Sequence, residues 1–238
     1  MDTTQDFDGT TVLITGAAGH LGGAVARAFA ARGARLALAD LREDALHGSF
    51  GEPDARRMHI AADLLRPAEA DAAAARAVER FGRIDVLCNL AGGFRMGEAV
   101  HETSARTWDV LMDLNARTVL HMAHAVVPGM LAAGGGRIVN VGAFAAREGA
   151  ARMGAYVASK AAVIRLTESM AAELREHGVN VNCVLPTIID TPDNRAAMPG
   201  ADPARWVAPT DLAAVIVFLA SDAARAIHGA AVPVTGLS

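Results

Sequence analysis

The chain contains one tyrosine and one lysine, and they stand four residues apart as Tyr156 and Lys160. Residues at positions i and i+4 of a helix share a face, so a helix through this segment would place the phenol beside the ammonium. A neighbouring cation favours the phenolate, and we expect it to lower the Tyr156 pKa below its usual value of about 10. Such a pair suits proton transfer to or from a reacting group. The alternative is an ordinary surface pair.

Length and composition limit the class of protein. The 238 residues, 52% of them hydrophobic, are enough for one large domain. The net charge of −4 is spread without acidic or basic blocks, so neither nucleic acid nor a membrane surface is an expected partner. The polar N-terminus does not resemble a signal peptide, and the apolar runs are too short to cross a membrane. Cys88 and Cys183 lie in apolar, strand-like runs and are interpreted as core thiols, and we expect a cytoplasmic protein. The histidines lack metal-ligand spacing, so no metal site is expected.

Short aliphatic runs alternate with longer helical stretches. The predicted strands cover residues 11–14, 35–39, 57–61, 84–88, 137–141, 179–185 and 231–234. The predicted helices cover residues 22–32, 67–81, 105–132, 154–177 and 209–220. This alternation predicts an α/β fold of the Rossmann type, a doubly wound parallel sheet with helices on both faces, as a single domain over residues 1–238. The long segment 187–209 is the expected substrate-binding lid.

A glycine-rich turn joins the first predicted strand to the first predicted helix. Gly16, Gly19 and Gly22 permit a tight turn and close backbone approach to a phosphate, which the helix N-terminus attracts. Asp40 ends the second strand, where a carboxylate accepts the ribose hydroxyls of NAD and repels the extra phosphate of NADP. We therefore expect NAD(H) as cofactor. Arg42 lies close enough to keep NADP(H) as the alternative.

Over nearly its full length the chain resembles the short-chain dehydrogenase/reductase family. The resemblance rests on motifs in the family's order: the 15–22 turn, Asp40, Asp63, the 89–92 segment, Asn115, Tyr156 with Lys160, and the 186–191 segment. It implies hydride transfer between a nicotinamide and a small organic carbonyl or alcohol. The cofactor contacts that it implies are Gly16, Gly19, His20, Leu21, Asp40, Asp63, Leu64, Asn89, Ala91, Gly92, Tyr156, Lys160, Pro186, Ile189 and Thr191.

The resemblance also assigns catalytic roles. Tyr156 is the general acid in reduction and the base in oxidation. Lys160 lowers the pKa of Tyr156 and holds the nicotinamide ribose, while Asn115 anchors a water that links Lys160 to solvent. Thr191 touches the nicotinamide carboxamide. A homodimer or homotetramer is implied as well.

One residue of the family pattern is missing. The family places a serine thirteen residues before the tyrosine, where it orients the substrate oxygen, and this chain has Ala143 there. Thr187 is the candidate replacement. The chain resembles the dihydropteridine reductases in this respect, since they also carry alanine at the position of the serine. They also share an Ala-Gly-Gly-aromatic segment, which is residues 91–94 here. The substrate is then either a carbonyl/alcohol pair that tolerates the missing serine or a C=N or quinonoid system.

Two rival functions remain open at this point. One is an NAD(H)-binding protein with little or no turnover, in which Ala143 marks lost catalysis. The other is an epimerase or lyase that holds NAD and uses Tyr156 as base. Four apolar side chains are candidates for the lining of a substrate pocket: Phe94, Phe144, Met153 and Trp206. Three arginines are candidates for contact with an anionic group of the substrate: Arg147, Arg152 and Arg195.

Overall fold

A computed structural model describes residues 6–238. It contains one parallel sheet of seven strands in the order β3-β2-β1-β4-β5-β6-β7. In chain order the strands are β1 Thr11–Thr15, β2 Arg35–Asp40, β3 Arg57–Ala61, β4 Val86–Asn89, β5 Gly136–Val141, β6 Val179–Pro186 and β7 Ala231–Val234. The predicted doubly wound parallel sheet is confirmed.

Eight α-helices cover the sheet or the loops that follow it. They are α1 His20–Ala30, α2 Glu43–Phe50, α3 Pro67–Phe81, α4 Ala105–Met112, α5 Thr118–Ala132, α6 Gly154–Leu174, α7 Pro192–Ala197 and α8 Pro209–Ala220. The sequence did not indicate α2 or α7. The helical stretch predicted over residues 105–132 is confirmed, and a π-helical turn at Asp113–Arg117 within it joins α4 to α5. Between residues 6 and 238, no helix has the length and apolar character needed to cross a membrane.

Alternating side chains of the central strands build two apolar layers. Val12 and Ile14 of β1 pack into the layer that includes residues of α1 and α8, whereas Leu13 packs into the layer that includes residues of α3 and α5. Because both faces of β1 are covered, all five of its residues are buried. The two cysteines are unpaired and buried, Cys88 in the first of these layers and Cys183 in a third apolar cluster beside Ile164 and Leu185, which confirms their interpretation as core thiols.

His59 is a buried titratable side chain in the edge strand β3. It is 5% exposed, and neither ring nitrogen has a hydrogen-bond partner among the described residues. The ring of His47 packs against it edge to face at 5.0 Å, and Phe50 lies at 6.2 Å. Burial lowers the pKa of His59, and the nearby charges of His47 and Arg57 lower it further, against smaller opposing effects of Glu52 and Glu43.

We expect acid to destabilise the protein through His59. The folded-state pKa lies below the unfolded value of about 6.5, so the unfolded chain binds the proton more readily. The part of the free energy of unfolding that depends on neutral His59 is therefore fully present above pH 6.5 and decreases as the pH falls below that value. Urea unfolding at pH 7.5 and 5.5 measures the effect, and His59→Phe should lose a smaller part of its free energy of unfolding over this interval. An equal loss in both proteins would assign the pH dependence to other groups.

Candidate active site

The carboxyl ends of β1 to β4 border an open groove of ≈ 620 Å³. Gly16 lies in it with a φ of +64°, and a Cβ there would meet the backbone of Ala91 at 2.9 Å. The N-terminus of α1 opens into the same groove, with Gly19 as an N-cap that supplies no side-chain hydrogen bond. Free N–H groups at a helix N-terminus attract phosphate. The size and this uncapped end fit a dinucleotide.

Most of the predicted cofactor-binding residues line the groove. Those that do are Gly16, Gly19, His20, Leu21, Asp40, Asp63, Leu64, Ala91, Gly92, Ile189 and Thr191. Asn89, Pro186, Tyr156 and Lys160 are not part of this lining. Asn89 is buried, and its Nδ2 donates to Asn140 Oδ1 at 2.9 Å. Pro186 is buried in β6, where it pairs with Val234.

Asp40 is placed at the end of β2 and holds the glycine turn. Its Oδ2 accepts from the backbone N of Ala18 at 3.0 Å and its Oδ1 from that of Leu41 at 2.8 Å. The guanidinium of Arg42 bonds Asp44 instead, with Nε 2.9 Å from Oδ1. Arg42, which could otherwise receive an additional phosphate, is thus paired with Asp44.

Asn115 lies in the π-helical turn between α4 and α5 and is buried. Its Oδ1 accepts from the backbone N of Gly93 at 2.8 Å, and its Nδ2 donates to the carbonyl of Gly93 and to Ser159 Oγ, both at 3.0 Å. Single π turns in helices often occur at functional sites. Here the turn brings one amide into contact with both the loop after β4 and helix α6.

Lys160 reaches the edge of the groove from α6. Its Nζ donates to the carbonyl of Val141 at 2.8 Å, and a Cβ on Gly92 would lie 3.2 Å from Nζ. The side chain is buried, and burial lowers the pKa of Lys160 to about 8. The predicted i, i+4 helical pair is confirmed, since Tyr156 and Lys160 both lie in α6.

The predicted decrease of the Tyr156 pKa is wrong for this structure. Burial raises the pKa of Tyr156 to about 12. The ring of Phe94 packs on it edge to face at 4.8 Å, although Phe94 itself is 54% exposed. Burial disfavours the charged phenolate, and the Nζ of Lys160 donates to the carbonyl of Val141.

Ala143 follows β5 and is buried in an apolar cluster that Tyr156 packs against. The structure does not support Thr187 as the replacement for the missing hydroxyl. Thr187 Oγ1 donates to the carbonyl of Thr235 at 2.9 Å and lies 2.8 Å from Ser238 Oγ, so its side chain is bonded to the C-terminal segment.

A second cavity, of ≈ 260 Å³, lies beside Tyr156. The loop after β4, helix α4 and the start of α6 form its wall. Its lining is Arg95, Met96, Glu98, Thr103, Thr107, Leu111, Arg152, Met153, Gly154, Ala155 and Tyr156. Met153 thus lines a cavity as expected. Arg95, Glu98 and the two threonines were not identified from the sequence. The signal that could have found them is their position along the chain, after the 89–92 segment.

The segment 187–209 contains helix α7 and a 3-10 turn at Pro203–Arg205. Thr191 caps α7 by accepting from the backbone N of Asn194 at 3.2 Å. Arg195 forms a two-pronged ion pair with Asp190, with contacts of 2.6 and 2.7 Å, so the expectation that it meets a substrate is not supported. Trp206 is 7% exposed and belongs to the core rather than to a pocket wall. Phe144 packs against the apolar cluster that contains Ala143, with the guanidinium of Arg147 over its ring at 5.1 Å.

Comparison with known proteins places the chain in a family. The family model described as short chain dehydrogenase matches residues 10–201. D-threitol dehydrogenase of Mycolicibacterium smegmatis is 38% identical over 97% of this chain and 93% of its own length. Cis-4-hydroxycyclohexanecarboxylate dehydrogenase of Sinomonas cyclohexanicum is 34% identical over 98% and 97%. A crystal structure of carveol dehydrogenase from Mycobacterium avium in complex with NAD is 26% identical, covers 97% of this chain and 98% of its own, and has a TM-score of 0.88. The chain belongs to the short-chain dehydrogenase family, whose members named here act on alcohols and carbonyl compounds.

Proposed function

We propose that the protein is an NAD(H)-dependent oxidoreductase that uses Tyr156 as its proton donor and acceptor. One observation carries the proposal: Tyr156 lines the smaller cavity, while Lys160, one helical turn away, reaches Gly92 at the wall of the groove. A reactant in the cavity would therefore lie next to a cofactor in the groove. NAD is the ligand of carveol dehydrogenase, the similar structure described above.

The groove residues divide into those that hold phosphate and those that hold sugar. The glycine turn and the N-terminus of α1 would hold the diphosphate, and Asp40 would accept the hydroxyls of the adenosine ribose. Lys160 would bind the nicotinamide ribose, and Thr191 would contact the carboxamide. Bound there, the nicotinamide supplies or accepts the hydride.

Tyr156 would carry the proton. A phenol whose pKa is raised to about 12 is protonated at neutral pH, which suits a donor to a carbonyl oxygen during reduction. For oxidation the phenolate is needed, and the Lys160 ammonium would favour it after release from Val141. Asn115 would anchor the relay water, although its amide already bonds Gly93 and Ser159.

Two substrate classes fit a site with Ala143 in place of serine. One is a carbonyl/alcohol pair held by other contacts. The other is a quinonoid or C=N system of the dihydropteridine kind, whose charge rearrangement needs no hydroxyl beside the reacting atom. Because the Thr187 hydroxyl bonds the C-terminal segment, a carbonyl substrate of the first class would have to be oriented by groups other than Thr187.

NADH oxidation tests the proposal. Loss of near-ultraviolet absorbance would be followed with quinonoid dihydropterin and with a panel of small ketones, and we expect turnover of at least one class. Turnover of the pterin alone would select the quinonoid class. No turnover of either, with NADH still bound, would favour the non-catalytic protein, and NAD retained through purification would favour the epimerase or lyase.

We expect Asp40→Asn to weaken the preference for NADH over NADPH. The variant keeps an oxygen that accepts from the backbone N of Ala18 but removes a charge that would repel the extra phosphate of NADPH. Loss of about 1–2 kcal/mol of repulsion reduces the ratio of the two Kd values roughly tenfold. Fluorescence titration with each cofactor measures both constants, with the exposed Asp71→Asn as control. An unchanged ratio would remove Asp40 from cofactor selection.

Assembly stays a prediction. Two large apolar side chains are exposed near the candidate active site, Trp108 of α4 at 45% and Leu120 of α5 at 55%. Single exposed apolar side chains are common on protein surfaces, so these two do not test the expected homodimer or homotetramer.

A further inference from the structure

Two arginines stand at the cavity beside Tyr156. Arg95 comes from the loop after β4 and Arg152 from the segment before α6, and both side chains are exposed. Neither lies within 4.0 Å of a carboxylate of the described residues, whereas Arg32 and Arg117, for example, are ion-paired at 3.2 and 2.6 Å. The positive charge at this cavity is therefore available to a ligand.

The one carboxylate of the cavity lining has other partners. Glu98 Oε1 accepts from Thr107 Oγ1 at 3.0 Å, and its Oε2 accepts from the backbone N of Ser104 at 3.1 Å. Glu98 thus fixes the start of α4 rather than neutralising an arginine. With two arginines and one glutamate, the side chains that line the cavity carry a net charge of +1.

The backbone of Arg152 is held in an unusual conformation. Its φ is +60°, and no other non-glycine residue between 6 and 238 has a positive φ. Two hydrogen bonds with Gly97 fix it: the backbone N of Gly97 donates to the carbonyl of Arg152 at 2.8 Å, and Arg152 Nη1 donates to the carbonyl of Gly97 at 3.0 Å. Strained residues of this kind persist where surrounding contacts hold them and often mark ligand sites.

We propose that this cavity binds the carboxylate of a short keto acid or hydroxy acid through Arg95 and Arg152. The inference rests on the proposed function and names its substrate class. In reduction, bound NADH would supply the hydride to the carbonyl carbon and Tyr156 would give its proton to the carbonyl oxygen, while the carboxylate would be unchanged. A guanidinium that binds the far end of the substrate fixes its orientation, which is the task that a hydroxyl at position 143 would otherwise perform.

A matched pair of ketones tests the inference. NADH-dependent reduction of 4-oxopentanoate would be compared with that of 4-oxopentanamide, which has the same skeleton without the charge. We expect kcat/KM to be about tenfold higher for the acid, and Arg95→Gln to reduce this ratio at least about fivefold. Arg152→Gly, which removes the charge and suits the positive φ, should reduce it likewise. Arg106→Gln, an exposed arginine of α4 outside the cavity lining, should leave the ratio unchanged.

A binding measurement separates this inference from the proposed function. Calorimetry in the presence of NADH would compare pentanoate with pentanamide, neither of which can be reduced. Tighter binding of pentanoate that Arg95→Gln weakens at least about fivefold would support the site even if no ketone is turned over. Equal binding of the two compounds, or an unchanged preference in Arg95→Gln and Arg152→Gly, would overturn the inference whether or not ketones are reduced.

Discussion

Replacing Tyr156 by phenylalanine should lower kcat at least about a thousandfold, while the Kd for NADH changes less than about twofold. General acid catalysis by a positioned side chain contributes typically about 10²–10⁴ in rate, and the phenol is the group of the cavity lining best suited to donate the proton. The variant keeps the aromatic ring that packs against Phe94. NADH oxidation gives kcat, and fluorescence titration gives the Kd.

A variant of the neighbouring ring serves as control. Phe94→Leu keeps the phenol and loses the edge-to-face contact, which is worth about 0.5–1.5 kcal/mol, so its loss of rate should not exceed roughly tenfold. If Tyr156→Phe retained the kcat of the natural protein, the phenol would not be the proton donor, and the proposed mechanism would have to be abandoned.

Gly22→Ala should abolish NADH binding and lower the free energy of unfolding by about 2–4 kcal/mol. A Cβ at this position would lie 2.3 Å from the carbonyl oxygen of Gly16 and 2.7 Å from Cα of Ala17. Both neighbours are backbone atoms of the glycine turn, so they cannot yield as a flexible side chain would. Urea unfolding measures the stability, and NADH fluorescence measures binding.

Gly48→Ala is the matched control, since it adds the same methyl group to a helix. A Cβ on Gly48 meets no atom within 4 Å, and the residue lies inside α2. Alanine lowers the cost of forming a helix by about 0.5–1 kcal/mol relative to glycine, so this variant should be more stable and bind NADH normally. A Gly22→Ala protein with unchanged NADH affinity would show that the turn does not hold the cofactor as proposed.

Most of the sheet could be predicted because strands such as β1, β4 and β6 are buried on both faces and therefore appear as short aliphatic runs. The helices were less predictable. Helix α2 is short, and its Gly48 and Ser49 are weak helix formers, so it carries little local signal. The π-helical turn at Asp113–Arg117 brings Asn115 to Gly93, a contact across 22 residues that periodicity along one helix does not show.

The site was predictable where one local motif defines it. The glycine turn, Asp40 and the pair in α6 lie where their spacing indicates. The bonding of Thr187 was not predictable, because its partner Ser238 is 51 residues away. The pKa of Tyr156 was predicted in the wrong direction, because it depends on the burial of the phenol, which the spacing of Tyr156 and Lys160 does not show.

The contacts of Asn115 limit how this protein can be re-engineered by exchanging segments. Its single amide joins the 89–93 loop to Ser159 of α6, so a graft that replaces the loop would also disturb the helix that carries Tyr156. A chimera cut at this loop would alter cofactor affinity and turnover together. The 187–209 segment is held mainly by bonds within itself, such as those of Asp190 with Arg195 and Thr191 with Asn194. Ile189, Thr191 and Asp193 of that segment line the dinucleotide groove, so an exchange aimed at substrate range would have to begin after Asp193 to leave the groove intact.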